Sequence, residues 1–110
     1  MKNLNDFKKF VTDKKLGDDT VVHANVEGVE YVIDDYGYDS QNKHLLLFCS
    51  DNWEEAISKK ELLRLRYKID VVEMLVVCEE LETIRPVVSF SVRRPDPSFG
   101  GLNEVIFQTK

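Results

Sequence analysis

The stretch of sequence that decides the fold is TVVHANVEGVEYVI, residues 20–33. Apolar and polar side chains alternate along it, which is the period of a strand buried on one face. Glu27 and Gly28 interrupt the alternation and form a candidate two-residue turn, because glycine tolerates positive φ. The stretch therefore predicts an antiparallel hairpin whose polar side chains, His23 among them, lie on a solvated face. The predicted inner face consists of Val22, Ala24, Val26, Val29, Tyr31 and Ile33.

Segments on both sides of this hairpin predict an α+β fold. Apolar residues at helical spacing predict one helix over 3–15, ended by Gly17, and two successive capping boxes predict another over 50–68. Apolar runs predict the remaining strands, at 45–49, 71–78, 88–93 and 105–107. We therefore expect a single α+β domain over 1–110, with two helices packed on a mainly antiparallel sheet.

The predicted elements also indicate an internal repeat. The order helix, strand, turn, strand, loop, strand occurs in residues 3–49 and again in residues 58–107. Two interpretations stay open: two related halves, or the periodicity that any small α+β domain shows. Related halves would place three pairs of core residues at matching positions: Phe7 with Leu63, Val22 with Val72, and Phe48 with Ile106.

Composition and charge narrow the classes of function. The 110 residues are 43% apolar and 32% charged, so one core of domain size can form. The 20 acidic and 15 basic residues give a net charge of −5, which argues against a nucleic-acid binder. The longest apolar run is far below the roughly 20 residues that span a bilayer, and the first residues lack the apolar segment of a signal peptide. We therefore expect a cytoplasmic protein without membrane association.

Catalytic and cofactor motifs are missing from the sequence. It contains no G-x-S-x-G elbow, no P-loop, no dinucleotide-binding glycine motif and no H-E-x-x-H pair. His23 and Glu27 lie on one face of a predicted strand and could share a metal ion, but no third ligand is evident. A solvated strand face is therefore the preferred interpretation. We expect a protein that is not an enzyme, with no catalytic residue, metal or cofactor.

The two cysteines, Cys49 and Cys78, each end an apolar run. Free cysteine behaves as a small buried apolar side chain, and no secretory segment is visible. Reduced core thiols are therefore expected. The alternative is a disulfide or redox pair, although the spacing is not that of a C-x-x-C motif.

The best candidate binding site is the acidic tyrosine segment, which lies in the second half of the hairpin's second strand. Strand alternation places Tyr36 and Tyr38 on the same face as Asp34. Tyrosines supply rigid contact area and carboxylates steer a basic partner, so this segment is typical of a protein-binding surface. The alternative is that the tyrosines cover a sheet edge and the aspartates only solvate it. The acidic tyrosine segment consists of Asp34, Asp35, Tyr36, Tyr38 and Asp39.

A second candidate is the loop that begins at Arg93. Nine irregular residues, 93–101, are long for a connection between two strands, and long loops often carry binding residues. We expect Arg93, Arg94 and Phe99 to form a secondary binding loop. The alternative is a simple connector.

One resemblance bears on the function. The opening helix is followed by a D-x-x-V-V strand entry at residues 18–22 and by a hairpin with the pattern E-Y-x-I at residues 30–33. In this pattern, which covers about the first half of the chain, the sequence resembles small accessory proteins of phages and mobile elements. The resemblance implies an anti-CRISPR or other anti-defence inhibitor. The basic residues Arg93 and Arg94 are not expected in a protein that imitates nucleic acid with acidic residues alone.

These observations predict a non-enzymatic acidic protein that inhibits or sequesters a larger partner, such as a host or defence protein with a basic surface. Two alternatives remain. One is a small-molecule or nucleotide-binding protein that acts as a homodimer. The other is an immunity protein that neutralises a toxin.

Overall fold

Six strands close into a barrel in the computed structural model, which describes residues 1–65, 72–94 and 103–110. The fold is α+β and mostly sheet. No helix in the described part of the chain is long and apolar enough to cross a membrane. In chain order the elements are helix α1 (Leu4–Asp13), β1 (Val21–Val26), β2 (Val29–Asp39), β3 (His44–Ser50), a 3-10 turn (Trp53–Glu55), helix α2 (Lys59–Leu63), β4 (Glu73–Cys78), β5 (Thr83–Arg93) and β6 (Glu104–Thr109).

The hairpin of β1 and β2 forms as predicted. Val26 pairs with Val29, and the two turn residues between them, Glu27 and Gly28, have φ of 54° and 81°. Positive φ at both central residues is the geometry that matches the twist of a tight hairpin. Two details of the predicted inner face are wrong: Val29 is exposed at the turn, and Val32, predicted to face outward, is fully buried.

The sheet is mixed. Four strand pairs are antiparallel, namely β1–β2, β2–β3, β4–β5 and β5–β6, and two are parallel, namely β3–β4 and β1–β6. The pairing pattern of the first three strands therefore recurs in the last three. Each of the long strands β2 and β5 carries a bulge, between Ile33 and Asp35 and between Val87 and Ser89 respectively. The helix caps recur as well, because Asn3 bridges to Glu73 and Ser58 bridges to Val21.

The matching of the two halves differs from the predicted pairs. The strand register makes Val22 equivalent to Met74, because β4 begins only at Glu73, after Val72. Counting from the two N-caps makes Phe7 equivalent to Leu62 instead of Leu63. Phe48 and Ile106 are only half-buried, because they lie on the other face of their strands from the buried residues. The buried residues are Leu45 and Leu47 in β3, and Val105 and Phe107 in β6.

Helix α1 closes the core of the barrel. Asn3 caps it in a reciprocal capping box with Asp6, with distances of 2.8 and 2.9 Å. Leu4, Phe7 and Val11 are its buried residues. The helix ends at Asp13, and the left-handed residue that follows is Lys15, with φ of 56°, instead of the predicted Gly17.

The second predicted helix, 50–68, is much shorter in the described residues. Ser50 still belongs to β3, and the 3-10 turn and α2 are separated by extended backbone at Ala56 and Ser58. Of the two predicted capping boxes, the one that begins at Ser58 keeps its cap, because the Ser58 side chain accepts from the backbone N–H of Glu61. The one that begins at Asp51 does not, because Asn52 is the cap and accepts from the backbone N–H of Glu54. The described residues therefore contain one helix of ten residues and one of five, and the predicted packing of two helices on the sheet is not confirmed.

Candidate functional site

The bulge in β2 separates the tyrosines from Asp34. Ile33 faces Cys49 across the β2–β3 ladder, but Tyr36 faces Leu47, so one extra residue lies between them on β2. A bulge of this kind reverses the alternation beyond it. Tyr36 and Tyr38 therefore lie on the face of the buried residues Leu47 and Leu45, and the predicted shared face with Asp34 is wrong.

The members of the acidic tyrosine segment have different surroundings. Tyr36 packs against the core, whereas Tyr38 is 49% exposed. The carboxylate of Asp39 accepts hydrogen bonds from Gln41 and Asn42, at 2.9 to 3.3 Å, and thereby holds the β2–β3 turn. The side-chain hydrogen bond from Asn42 is the main reason that the pKa of Asp39 is lowered. Tyr38 and Asp35 are the members left exposed for a partner.

Acidic residues flank Trp53, the only tryptophan of the chain, on both sides in the sequence. The 3-10 turn that carries Trp53 lies beside β2, where the N–H of Ile57 donates to the carbonyl of Ile33 at 2.8 Å. Trp53 is 52% exposed. Within the described residues, none of the surrounding carboxylates forms an ion pair. The acidic tryptophan surface consists of Trp53, Asp34, Asp35, Asp51, Glu54 and Glu55.

The first capping box of the predicted helix over 50–68 includes Asp51 and Glu54, and the sequence pattern does not single out Trp53. The available signal was a tryptophan flanked on both sides by acidic residues, with the acidic pair Asp34–Asp35 upstream. What the sequence could not show is that the 3-10 turn folds back beside β2.

His23 is buried, which corrects the prediction of a solvated position. Its side chain is 2% exposed, and the ring of Trp53 packs edge-on against it with ring centroids 4.7 Å apart. His23 Nδ1 lies 2.9 Å from Glu30 Oε1 and 3.4 Å from Glu104 Oε2. The predicted neighbour Glu27 instead pairs with Arg85. Three adjacent strands, β2, β1 and β6, thus bring together one imidazole and two carboxylates.

Arg93 completes this cluster from β5. Its Nε donates to Glu104 Oε2 at 2.7 Å, and its Nη2 donates to Glu30 Oε1. Burial of Glu30 acts to raise the pKa of that carboxyl, but the hydrogen bonds and charges of Arg93 and His23 outweigh it, so the pKa is lowered. The hydrogen bond to Glu30 is in turn the main reason that the pKa of Arg93 is raised. Arg93 is therefore an ion-paired strand residue and not a free residue of a binding loop.

A groove runs between α1 and β5. It has a volume of about 480 Å³ and is lined by Phe10, Lys14, Phe90, Ser91, Val92 and Arg94. Arg94 is held there because its Nη2 donates to the carbonyl of Lys14 at 2.8 Å. A second groove of about 260 Å³ continues from Phe10 and Phe90 toward Lys2 and Lys9. Of the predicted binding loop, Arg94 lies at this groove, and Phe99 lies outside the described residues.

The two cysteines lie on neighbouring parallel strands. Phe48 of β3 pairs with Val77 of β4, so Cys49 and Cys78 follow directly as the next residues of the ladder. Both are free thiols; Cys78 is buried and Cys49 is half-buried. Burial is the main reason that the pKa of Cys49 is raised to about 12, and the neighbouring Cys78 and Asp34 contribute less. Burial and a hydrogen bond with Cys78 raise the pKa of Tyr31 to about 12.

Comparisons with known proteins give no relative from which a role could be transferred. No family model matches the chain, and neither a curated protein nor a solved structure matches it. Any functional argument therefore depends on the residues and geometry described above.

Proposed function

We propose that the chain is a non-enzymatic binding protein that inhibits or sequesters a larger partner with a basic surface. The observation that carries this proposal is the acidic tryptophan surface, where Trp53 is 52% exposed and its flanking carboxylates Asp51, Glu54 and Glu55 form no ion pair within the described residues. The resemblance of the first half to phage accessory proteins supports an anti-defence inhibitor as the biological role.

The physical roles of the two residue types are different. Tryptophan is enriched among the few interface residues that dominate binding free energy, because it buries a large rigid area. Exposed carboxylates mainly accelerate encounter with a positive surface, and salt screens their effect over about 8 Å at physiological ionic strength. We therefore expect Trp53 to slow dissociation of the complex and the carboxylates to speed its formation. Asp35 extends the charged area along β2, whereas Tyr38 lies on the opposite face of the strand.

The proposal predicts a charge effect that is specific to one surface. The triple variant D34N/D35N/E54Q should bind its partner more slowly and with weaker salt dependence, because three steering charges are removed. The matched control is E79Q/E80Q/E82Q, which removes three exposed charges from the β4–β5 turn. Both variants and the wild type would be immobilised and used to capture proteins from a bacterial lysate at low and high salt, with association rates measured for the captured protein.

Trp53→Ala is the companion variant and should mainly speed dissociation, weakening the affinity by roughly 30-fold or more if Trp53 dominates the interface. Circular dichroism would verify that each variant is folded. Equal losses in the two triple variants, or unchanged affinity in W53A, would count against this surface.

A second candidate function is favoured by the groove between α1 and β5. Its aromatic floor and its cations, Lys14 and Arg94, fit a small anionic ligand with an apolar portion, such as a nucleotide. The corresponding function is that of a small-molecule-binding or sequestering protein that acts as a homodimer. An immunity protein, in contrast, would use the acidic tryptophan surface and would be encoded beside its toxin.

Ligand binding in this groove is expected to raise thermal stability. A nucleotide present at about 100 times its dissociation constant should add about 2.7 kcal/mol to the free energy of unfolding. The variant K14Q/R94Q should lose the effect, whereas K60Q/R64Q, which removes two exposed cations near α2, should keep it. If a panel of nucleotides shifts neither the wild type nor the control, the second candidate is excluded for that ligand class.

The recurring strand pairing and the recurring bulges and caps also support a proposal about organisation. We infer that residues 3–49 and 58–107 are two related halves of one domain. The equivalent residues would then be those of the observed register, such as Val22 with Met74.

A further inference from the structure

The cluster around His23 brings three potential metal ligands close together. One atom each from His23, Glu30 and Glu104 lies within 4.8 Å of the other two. The imidazole nitrogen is 2.9 Å from one carboxylate oxygen and 3.4 Å from the other. Metal–ligand bonds of about 2.0–2.2 Å place neighbouring ligand atoms roughly 3.0–3.4 Å apart in octahedral or tetrahedral geometry. The two distances from His23 fit one shared ion, and the two carboxylate oxygens lie within 4.8 Å of each other, so a small movement of one side chain completes the set.

The barrel holds these side chains on rigid elements. His23 lies on β1, which is paired on one side with β2, carrying Glu30, and on the other with β6, carrying Glu104. His23 is 2% exposed, and Trp53 fixes its ring from outside, so the imidazole is buried with Nδ1 directed at both carboxylates. Sites built on strands keep their geometry better than sites on loops.

A cation already occupies the space between the carboxylates. Arg93 donates to Glu30 and Glu104 together, and its side chain is 47% exposed. The carboxylates remain partly exposed, at 28% and 23%. A guanidinium group held at the surface can turn into solvent without opening the core, so the site is accessible to a competing cation.

We propose that His23, Glu30 and Glu104 bind a divalent transition-metal ion of the zinc type in competition with Arg93. One imidazole and two carboxylates suit Zn²⁺, and they leave a fourth position open for water or a ligand. Mg²⁺ prefers an all-oxygen octahedral shell and dehydrates reluctantly, so this set discriminates against it. This proposal does not rest on the proposed function, although Trp53 belongs to the acidic tryptophan surface and also packs against His23.

The test titrates the full chain with Zn²⁺ and, separately, with Mg²⁺. Isothermal titration calorimetry measures affinity, and the fluorescence of Trp53 reports on the site because its ring touches His23. We expect one Zn²⁺ per chain, a change in Trp53 emission, and no response to Mg²⁺. Arg93→Gln should bind Zn²⁺ about tenfold more tightly, since a competing positive charge is removed.

The variants separate this site from adventitious binding. His23→Gln and Glu104→Gln should each weaken Zn²⁺ binding by about tenfold or more, and His44→Gln, which removes the only other histidine, should leave it unchanged. Circular dichroism checks the fold, and E104Q serves if H23Q does not fold. Equal affinity in wild type, H23Q and E104Q, or weakening by H44Q alone, or unchanged affinity in R93Q, would overturn the proposal.

Discussion

Replacing Phe7 by alanine should lower the free energy of unfolding by about 3–5 kcal/mol, which is the range for removing a fully buried aromatic side chain. Phe7 is fully buried, and its ring packs against Phe90 at 5.7 Å and Phe107 at 5.1 Å. The loss includes both the transfer of apolar area and the cavity left between α1 and the barrel. Small domains are stable by about 5–15 kcal/mol, so this single change could remove much of the total.

The matched control is Phe10→Ala on the same helix. Phe10 is only half-buried and contacts Phe90 at 5.3 Å, so its loss should be clearly smaller. Urea unfolding followed by circular dichroism measures both variants with the same denaturant slope. Equal losses for the two variants, or a loss below about 1 kcal/mol for F7A, would show that α1 is not packed into the core as described.

The hairpin of β1 and β2 could be predicted because its signals are local. Alternating apolar residues define the faces, and the Glu27–Gly28 turn fixes the register through positive φ. Helix α1 was predictable for the same reason, since the Asn3–Asp6 capping box lies within four residues. In these segments the element types and the turn agree with the prediction, although Val29, Val32 and His23 differ from it in burial.

The second half of β2 could not be predicted in the same way. A single extra residue between Ile33 and Tyr36 reverses the alternation, and no residue type in that stretch marks the bulge. Tyr36 and Tyr38 therefore lie on the face of β2 that is directed to the barrel interior, and Asp34 does not share this face. A one-residue error in register changes the face of every later side chain in the strand.

The cluster around His23 depends on closure of the barrel. Glu104 comes close to His23 only because β6 pairs in parallel with β1, and this pairing joins the two ends of the chain. Sequence spacing offered Glu27 as a neighbour, but that carboxylate belongs to the turn and pairs with Arg85. Contacts of such long sequence separation follow from topology, which local patterns do not specify.

Cys49 should react with a thiol reagent at least about tenfold more slowly in the native protein than an ordinary thiol does. Burial, together with Cys78 and Asp34, raises its pKa from 9.0 to about 12. Because the thiolate is the nucleophile, the higher pKa lowers the reactive fraction at pH 8 roughly 1,000-fold, and the greater nucleophilicity of a more basic thiolate offsets only part of this loss. Cys78 is 1% exposed, so a reagent reaches it only when the structure opens. The reaction with a chromogenic disulfide would be followed in the native state and in denaturant, where both thiols should react rapidly.

The same pKa shifts set the pH dependence of stability. In the folded state Cys49 and Tyr31 titrate near 12, above their usual values of 9.0 and 10.0. Their protonated forms are favoured by folding, so their contribution is complete below pH 9 and is lost as the pH rises toward 12. The midpoint of unfolding should therefore decrease as the pH is raised from 9 to 12. Cys49→Ala should make this decrease smaller, and Cys78→Ala is the comparison variant. For the labelling prediction, rapid reaction of Cys49 in the native protein, or a native mass two hydrogens below that of the reduced chain, would be the contradicting result. It would show that the thiols are reactive or already form a disulfide.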